Sequence, residues 1–130
     1  MAITYKVHAR RNPITGTSAY YPERCGTSRV SFEQLCERVA HATSATEADA
    51  TVVITECVHQ IALLLADSHS VELGRLGTIF TSFTTRPSAT EAEAGAEKVK
   101  RVNLRCRFKP AFTARLQPGN GMVELKAADN

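Results

Sequence analysis

Ile3, Tyr5 and Val7 alternate with Thr4, Lys6 and His8, the two-residue period of a strand with one buried face. Asn12-Pro13 and Thr15-Gly16 then supply turn residues, and Ala19-Tyr20-Tyr21 begins a return strand. Residues 1–30 therefore read as an N-terminal hairpin. From Ser31 the period becomes that of a helix. Ser31 and Gln34 are spaced as a capping box, and Phe32, Leu35, Cys36, Val39 and Ala40 fall at i, i+3, i+4, i+7 and i+8, one apolar face. A second helix opens at Thr46, with Glu47 and Asp49 placed to favour its N-terminal dipole. Its apolar positions Val53, Ile54, Cys57, Val58, Ile61, Leu64 and Leu65 continue at helical pitch for about six turns. One short neighbouring helix cannot cover so many, which predicts a second subunit.

The remaining pattern is that of strands. Gly74 and Gly77 bracket a tight turn, after which β-branched and aromatic residues dominate Thr78–Phe83. Farther on, Val102, Leu104, Cys106 and Phe108 alternate with Arg101, Asn103, Arg105, Arg107 and Lys109, a strand with an apolar and a basic face. Pro110 can open a last short helix with Phe112 and Leu116, closed by Pro118-Gly119. A small strand at Met122–Leu125 and a fraying polar end complete the chain. The elements make an α+β protein, expected as a single domain of residues 1–130 in three parts: hairpin 1–30, core 31–117 and tail 118–130.

Composition narrows the function by exclusion. The chain has 130 residues, 43% of them hydrophobic and 22% charged, ordinary values for a folded globular chain. No uninterrupted apolar run approaches the ~18 residues of a membrane span, and the N-terminus has no apolar signal core, so a cytoplasmic location is expected. Cys25, Cys36, Cys57 and Cys106 lack metal-ligand spacing and read as small apolar residues. No Cys–His–acid arrangement suggests a nucleophile. Gly74-Arg-Leu-Gly77 lacks the lysine and following helix of a phosphate loop. His59 reads as a dimer-surface or half-buried residue, and His41 as a cation suited to the end of the first helix. No enzyme, metal, cofactor or small-molecule substrate is expected.

Charge points the other way. The formal net charge is only +3, but it is unevenly distributed. Between Ser31 and Gly74 seven acids face the single base Arg38. Lys98, Lys100, Arg101, Arg105, Arg107 and Lys109 follow one another over residues 98–109 without an acid. A solvated strand face usually mixes signs. A one-signed ridge suggests phosphate binding, with Arg75 and Arg86 as possible members.

The order helix, helix, Leu-Gly-x-Leu-Gly-Thr-Ile turn, strand pair and Phe-Lys-Pro helix resembles the HU/IHF family of bacterial histone-like proteins. The resemblance rests on Thr46–Ala50, Val71–Ile79 and Phe108–Pro110, and on the length of the interval from Thr78 to Phe108. It covers roughly residues 31–117. The opening Met-Ala-Ile-x-Tyr-Lys-Val and the added strand pair are similar to an extended HU-like branch. The resemblance implies an intertwined helical dimer base, a β-sheet with an arm-like strand pair, and sequence-tolerant duplex DNA binding by a nucleoid-associated homodimer.

In that family an Arg-Asn-Pro-x-Thr-Gly arm tip places a proline wedge between base steps. Along this chain the tip falls on Thr90–Glu97, with Thr90 in place of the arginine and Ala92 in place of the proline, while Gly95 and Glu97 are retained. Glu91, Glu93 and Glu97 would repel phosphates, so weak bending is expected. A similar run at Arg10–Gly16 reads as a turn of the hairpin. The expected DNA contacts are Lys98, Lys100, Arg101, Arg105, Arg107, Lys109, Arg86 and Arg75. The alternative is an HU-like fold used as a structural or protein-interaction module.

Overall fold

Two capping boxes fix where the helices begin. Ser31 Oγ accepts from the Gln34 amide at 3.2 Å while Gln34 Oε1 accepts from the Ser31 amide at 2.9 Å, and α1 runs over Phe32–Ala42. Thr46 and Asp49 make the same reciprocal pair at 3.1 and 3.2 Å, and α2 runs over Glu47–Ala66. At its other end the amides of Ser68 and His69 reach back to the carbonyls of Leu65 and Leu64 at 3.2 and 3.0 Å. Ser68 takes the left-handed φ of 66° that this helix stop requires and that glycine adopts more readily. The computed structural model describes residues 2–26, 28–119 and 123–128. They form an α+β protein with two three-stranded sheets.

The chain divides into a central unit, Ser31–Phe112, and a terminal unit made of Met1–Val30 and Thr113–Asn130. In the central unit α1 packs along α2, with Cys36 and Ala50 buried. The seven apolar positions on α2 do not share one environment. Ile54, Ile61 and Leu65 are half-buried, whereas Val53, Cys57, Val58 and Leu64 are exposed. Glu56, His59 and Gln60 interrupt the apolar run. Averaged over an 18-residue window, however, α2 reaches a mean hydropathy of 1.4, long and apolar enough by length and composition to cross a membrane.

The central sheet has the order β3-β4-β5, with β3 at Val71–Glu72, β4 at Gly77–Thr85 and β5 at Val99–Phe108, all antiparallel. Gly77 is buried at the end of this ladder with φ 149°, and a Cβ there would lie 2.2 Å from the Arg107 carbonyl oxygen. Only glycine lets the strands close at this point. The strands part after Thr85. Residues 86–98 form a folded loop with single 3-10 turns at Glu91–Glu93 and Ala96–Lys98, closed by the Arg86 amide donating to the Lys98 carbonyl at 2.8 Å. The expected arm is therefore a short ribbon carrying a compact loop. Helix α3 is limited to Pro110–Ala114. Phe112 stacks on Phe108 with ring centres 6.0 Å apart, while Leu116 lies beyond the helix in successive turns.

In the terminal unit β1, Ala2–Arg11, pairs antiparallel with β2, Ser18–Arg24. Residues 118–130, read from sequence as a tail, contribute β6 at Glu124–Ala127, which runs parallel to Ala2–Tyr5. Met122 of the expected strand, and the terminal Asp129 and Asn130, lie outside the described residues. The sheet order is β2-β1-β6. Because β6 ends opposite Tyr5, the β1–β2 hairpin continues from Lys6 to Ser18 as a two-stranded ribbon.

Candidate nucleic-acid interface

Residues opposite one another in an antiparallel pair share a face. The β4–β5 register pairs Arg107 with Thr78, Arg105 with Phe80, Asn103 with Ser82 and Arg101 with Thr84. That face carries three arginines on β5, and β3 adds Glu72 to its edge, opposite Thr78. The other face pairs Phe108 with Gly77, Cys106 with Ile79, Leu104 with Thr81 and Val102 with Phe83. The alternation expected for β5 is thus present, but both faces are open to solvent: Leu104 is 68% exposed. Successive residues on one strand face lie ~6.7 Å apart, so Arg105 and Arg107 are neighbours and Arg101 stands ~13 Å from Arg105.

The sorting of faces survives a break in register. Arg101 opposes Thr84 but Val99 opposes Thr85, so Lys100 is the surplus residue of a β-bulge. The bulge returns Val99 to the face of Phe83 and Val102; strict alternation would have put it beside Arg101.

Neighbours orient the arginines. Arg101 Nε donates to Asn103 Oδ1 at 2.9 Å, and Asn103 Nδ2 donates to Thr84 Oγ1 at 2.7 Å. The chain of bonds steadies Arg101 across the two strands. The Arg107 guanidinium lies 5.3 Å from the centre of the Phe80 ring, a cation–π contact that holds the side chain on the face while its charge stays available. Phe80 went unnoticed as a partner in the sequence because the register that seats it by Arg105 and Arg107 depends on the strand pairing.

The other expected residues are distributed differently. Lys109 Nζ pairs with Glu72 Oε1 at 2.7 Å, and this hydrogen bond and charge hold the Glu72 carboxyl below its ordinary range. Lys109 therefore joins β5 to β3. Arg75 is exposed in the β3–β4 turn, at the Arg107 end of the sheet. Arg86 and half-buried Lys98 stand at the opposite end, at the mouth of the 86–98 loop, lining a hollow shared with Ser88, Thr90 and Glu91. Arg101, Arg105 and Arg107 share one face of the ribbon, with Lys100 at the bulge next to Arg101. His59 is exposed on α2, and the described residues contain no cluster of His, Cys, Asp and Glu able to hold a metal.

A solved structure of a bacterial protein from Bacteroides vulgatus ATCC 8482, to which DNA binding has been ascribed, resembles this chain with a TM-score of 0.65 at 12% identity. The likeness covers 97% of this chain and 48% of that one, so this chain spans about half the length of its structural neighbour. At that identity the likeness concerns the fold. No protein with a curated description matches the sequence. Residues 1–120, including the central sheet with its basic face and all three helices described, match the model of the family described as an HU domain fused to wHTH, Ig or glycine-rich motif, and the chain belongs to this HU-HIG family.

Proposed function

We propose that the protein binds duplex DNA with little regard to sequence, as a homodimer that lays the basic face of β4–β5 along the phosphate backbone. The observation that carries the reading is the basic face of β4–β5: Arg101, Arg105 and Arg107, with Lys100 at the bulge, opposite Thr84, Phe80 and Thr78, while Glu72 on the neighbouring β3 is paired with Lys109. Family membership and the role ascribed to the Bacteroides vulgatus protein agree with it. Such a protein works in the bacterial cytoplasm, on the nucleoid.

The dimer follows from uncovered apolar surface. Val52, Val53, Val58 and Leu63 on α2 and Phe83, Val102, Leu104 and Phe108 on the apolar sheet face are all more than half or close to half exposed in the single chain. Burying one such side chain is worth about 1.5–3 kcal/mol, and contiguous patches of this kind mark interfaces. A partner copy explains the membrane-like hydropathy of α2, whose Glu56 lies in mid-helix, without a membrane. Bending by the central unit is weak, because the loop tip Thr90–Glu97 offers Glu91, Glu93 and Glu97 and has Ala92 where a proline wedge would sit.

Four ridge cations per protomer make eight per dimer, so log K should fall against log salt with a slope near −7, at about 0.9 per phosphate neutralised. Fluorescence anisotropy on random duplexes at several salt concentrations measures it. Arg105→Ala with Arg107→Ala removes four of the eight and should roughly halve the slope, weakening all sequences alike. An unchanged slope would remove the ridge from consideration.

One observation favours the alternative, an HU-like module that binds protein. The central unit carries nine Lys and Arg against ten Asp and Glu, a net of −1. Under that reading no duplex is bound at any salt concentration, and the same titration decides between the two.

A further inference from the structure

Strand β1 is longer than the strand that covers its outer edge, and the phase of its hydrogen bonds shows what is left open. At one end of the β1–β2 hairpin the Asn12 amide donates to the Thr17 carbonyl at 2.9 Å, and at the other the Cys25 amide donates to the Thr4 carbonyl at 3.0 Å. The register between them is unbroken. Bonding in an antiparallel pair alternates, so the even-numbered residues of β1 bond to β2 and the odd-numbered ones point the other way. On that outer edge the pairing with β6 ends at Tyr5 opposite Ala127, and the Ala128 amide closes it by donating to the Tyr5 carbonyl at 2.9 Å. Val7, Ala9 and Arg11 come next, and among the described residues no strand pairs with them on this edge. The outer edge of β2 is guarded: Pro22 lies opposite Val7, so a proline with no N–H to offer falls on it. β1 has no proline from Val7 to Arg11, and all of these residues are exposed.

The side chains beside the open edge differ from one face of the sheet to the other. Ile3, Tyr5 and Val7 of β1, Tyr20 and Pro22 of β2 and Leu125 of β6 line one open apolar hollow. Val7 is 60% and Tyr20 71% exposed, so this face has apolar surface to offer. The opposite face of β1 carries Lys6, His8 and Arg10, and Arg10 pairs with Glu23 of β2. Arg11 ends the strand. No acid occurs from Val7 to Pro22, and the terminal unit as a whole carries seven Lys and Arg against three Asp and Glu, a net of +4.

We infer that the outer edge of β1 at Val7–Arg11 is a docking site for an extended segment of a partner protein, one that alternates apolar and acidic residues and joins the sheet as an added strand. Each property of the segment follows from one feature of the edge. Open N–H and C=O groups that repeat every second residue, about 6.7 Å apart, are matched by another extended backbone. Residues opposite Val7 and Ala9 share their face and rest beside Val7 and Tyr20, which calls for apolar side chains there. Residues opposite His8 and Arg10 fall on the basic face, where carboxylates are favoured. Strand addition of this kind draws affinity from the main chain and specificity from alternate side chains. The site lies within the terminal unit and is independent of whether the central unit binds a duplex.

The probe is a short fluorescent peptide alternating valine and glutamate, titrated into the full chain by anisotropy, with amide exchange followed by NMR. Binding should saturate. The amides of Val7, Ala9 and Arg11, fast to exchange in the free protein, should become protected, while those of Lys6, His8 and Arg10, already bonded to β2, should change little. Two further peptides carry N-methyl groups on one or the other alternate set of backbone nitrogens. The set that faces β1 should bind roughly tenfold more weakly than the other, since it loses its donors to the edge. A peptide with lysine for glutamate should not bind. Ala9→Pro, which puts on this edge the residue that guards β2, should abolish binding, and Arg11→Glu should weaken it severalfold. The peptide comparisons need no change in the protein, so a poorly folding variant leaves the test intact. No saturable binding, equal binding of an all-glutamate peptide, equal affinities of the two methylated peptides, or binding without protection of Val7 and Ala9 overturns the inference. Protection of these amides by a random duplex and not by the peptide would assign the edge to nucleic acid and overturn it as well.

Discussion

Replacing Gly77 by alanine tests whether the basic face is seated as described. The site combines two demands. Its φ of 149° lies where side-chain-bearing residues are rarely found, at a cost of about 1–3 kcal/mol. In addition the new Cβ would stand 2.2 Å from the Arg107 carbonyl oxygen and 2.8 Å from the Phe108 Cα. Both obstacles are backbone, so no side chain can swing aside. Relief requires opening the Gly77–Phe108 rung, which forfeits a ladder hydrogen bond worth about 1 kcal/mol and disturbs the Phe108–Phe112 stack. The total is about 3–4 kcal/mol, a large part of the 5–15 kcal/mol that holds a domain folded. For a unit of this size the melting temperature should fall by at least about 12 °C.

Gly74→Ala is the matched control: φ is 55° there and no atom lies within 4 Å of the added Cβ, leaving only a left-handed penalty of about 1–2 kcal/mol. Thermal melts followed by far-ultraviolet circular dichroism, at one protein concentration, measure both. Equal melting temperatures for the two variants would refute the close approach of β4 and β5 at Gly77.

Other changes have definite expected outcomes. Ser68→Gly relieves a left-handed residue at the stop of α2 and should stabilise the protein by about 1 kcal/mol in a denaturant titration. Hydrogen bonds from Thr46 hold the Asp49 carboxyl low, and Lys109 does the same for Glu72. Depressed acids stabilise the fold above their unfolded pKa, and the gain is lost as pH falls through the lower folded value. Carboxyl titration by NMR should therefore find both midpoints below the ordinary range, and Lys109→Met should return Glu72 to it while leaving Asp49 unmoved. Writing Arg-Asn-Pro at residues 90–92, with Glu93→Gln and Glu97→Gln, should tighten duplex binding and add a bend measurable by energy transfer, since it exchanges repulsion for a wedge.

The parts of this fold that could be read from sequence are those fixed by neighbours along the chain. Ser31 with Gln34 and Thr46 with Asp49 announce their helices because a capping box spans only four residues. The two faces of β5 were readable because alternation is a local pattern. What escaped depended on pairing across distance. Phe80 meets Arg107 only in the β4–β5 register, and Lys109 meets Glu72 across 37 residues of sequence. The bulge at Lys100 leaves no mark in the residue pattern. A small strand was expected within residues 118–130, but its parallel pairing with β1 was not, because that partner lies at the other end of the chain. The seven apolar positions of α2 gave its helical nature but could not say which of them α1 covers.

The parallel pairing of β6 with β1 has a consequence for the order of folding. Tyr5 and Ala127 must meet across 122 residues, whereas Ala9 and Tyr20 in the hairpin meet across 11. Closing the longer loop costs about 2 kcal/mol more in chain entropy, since the penalty grows with the logarithm of length. During synthesis, at about 5–20 residues per second, the hairpin emerges first and can zip at once. Helices α1 and α2 and the central sheet follow, complete by Phe108. Only then does the strand that completes the terminal sheet leave the ribosome, so each molecule passes several seconds with β1 exposing the edge that β6 will cover. During that interval a nascent neighbour's β6 could occupy it, which makes this edge the place where strand exchange between copies would begin.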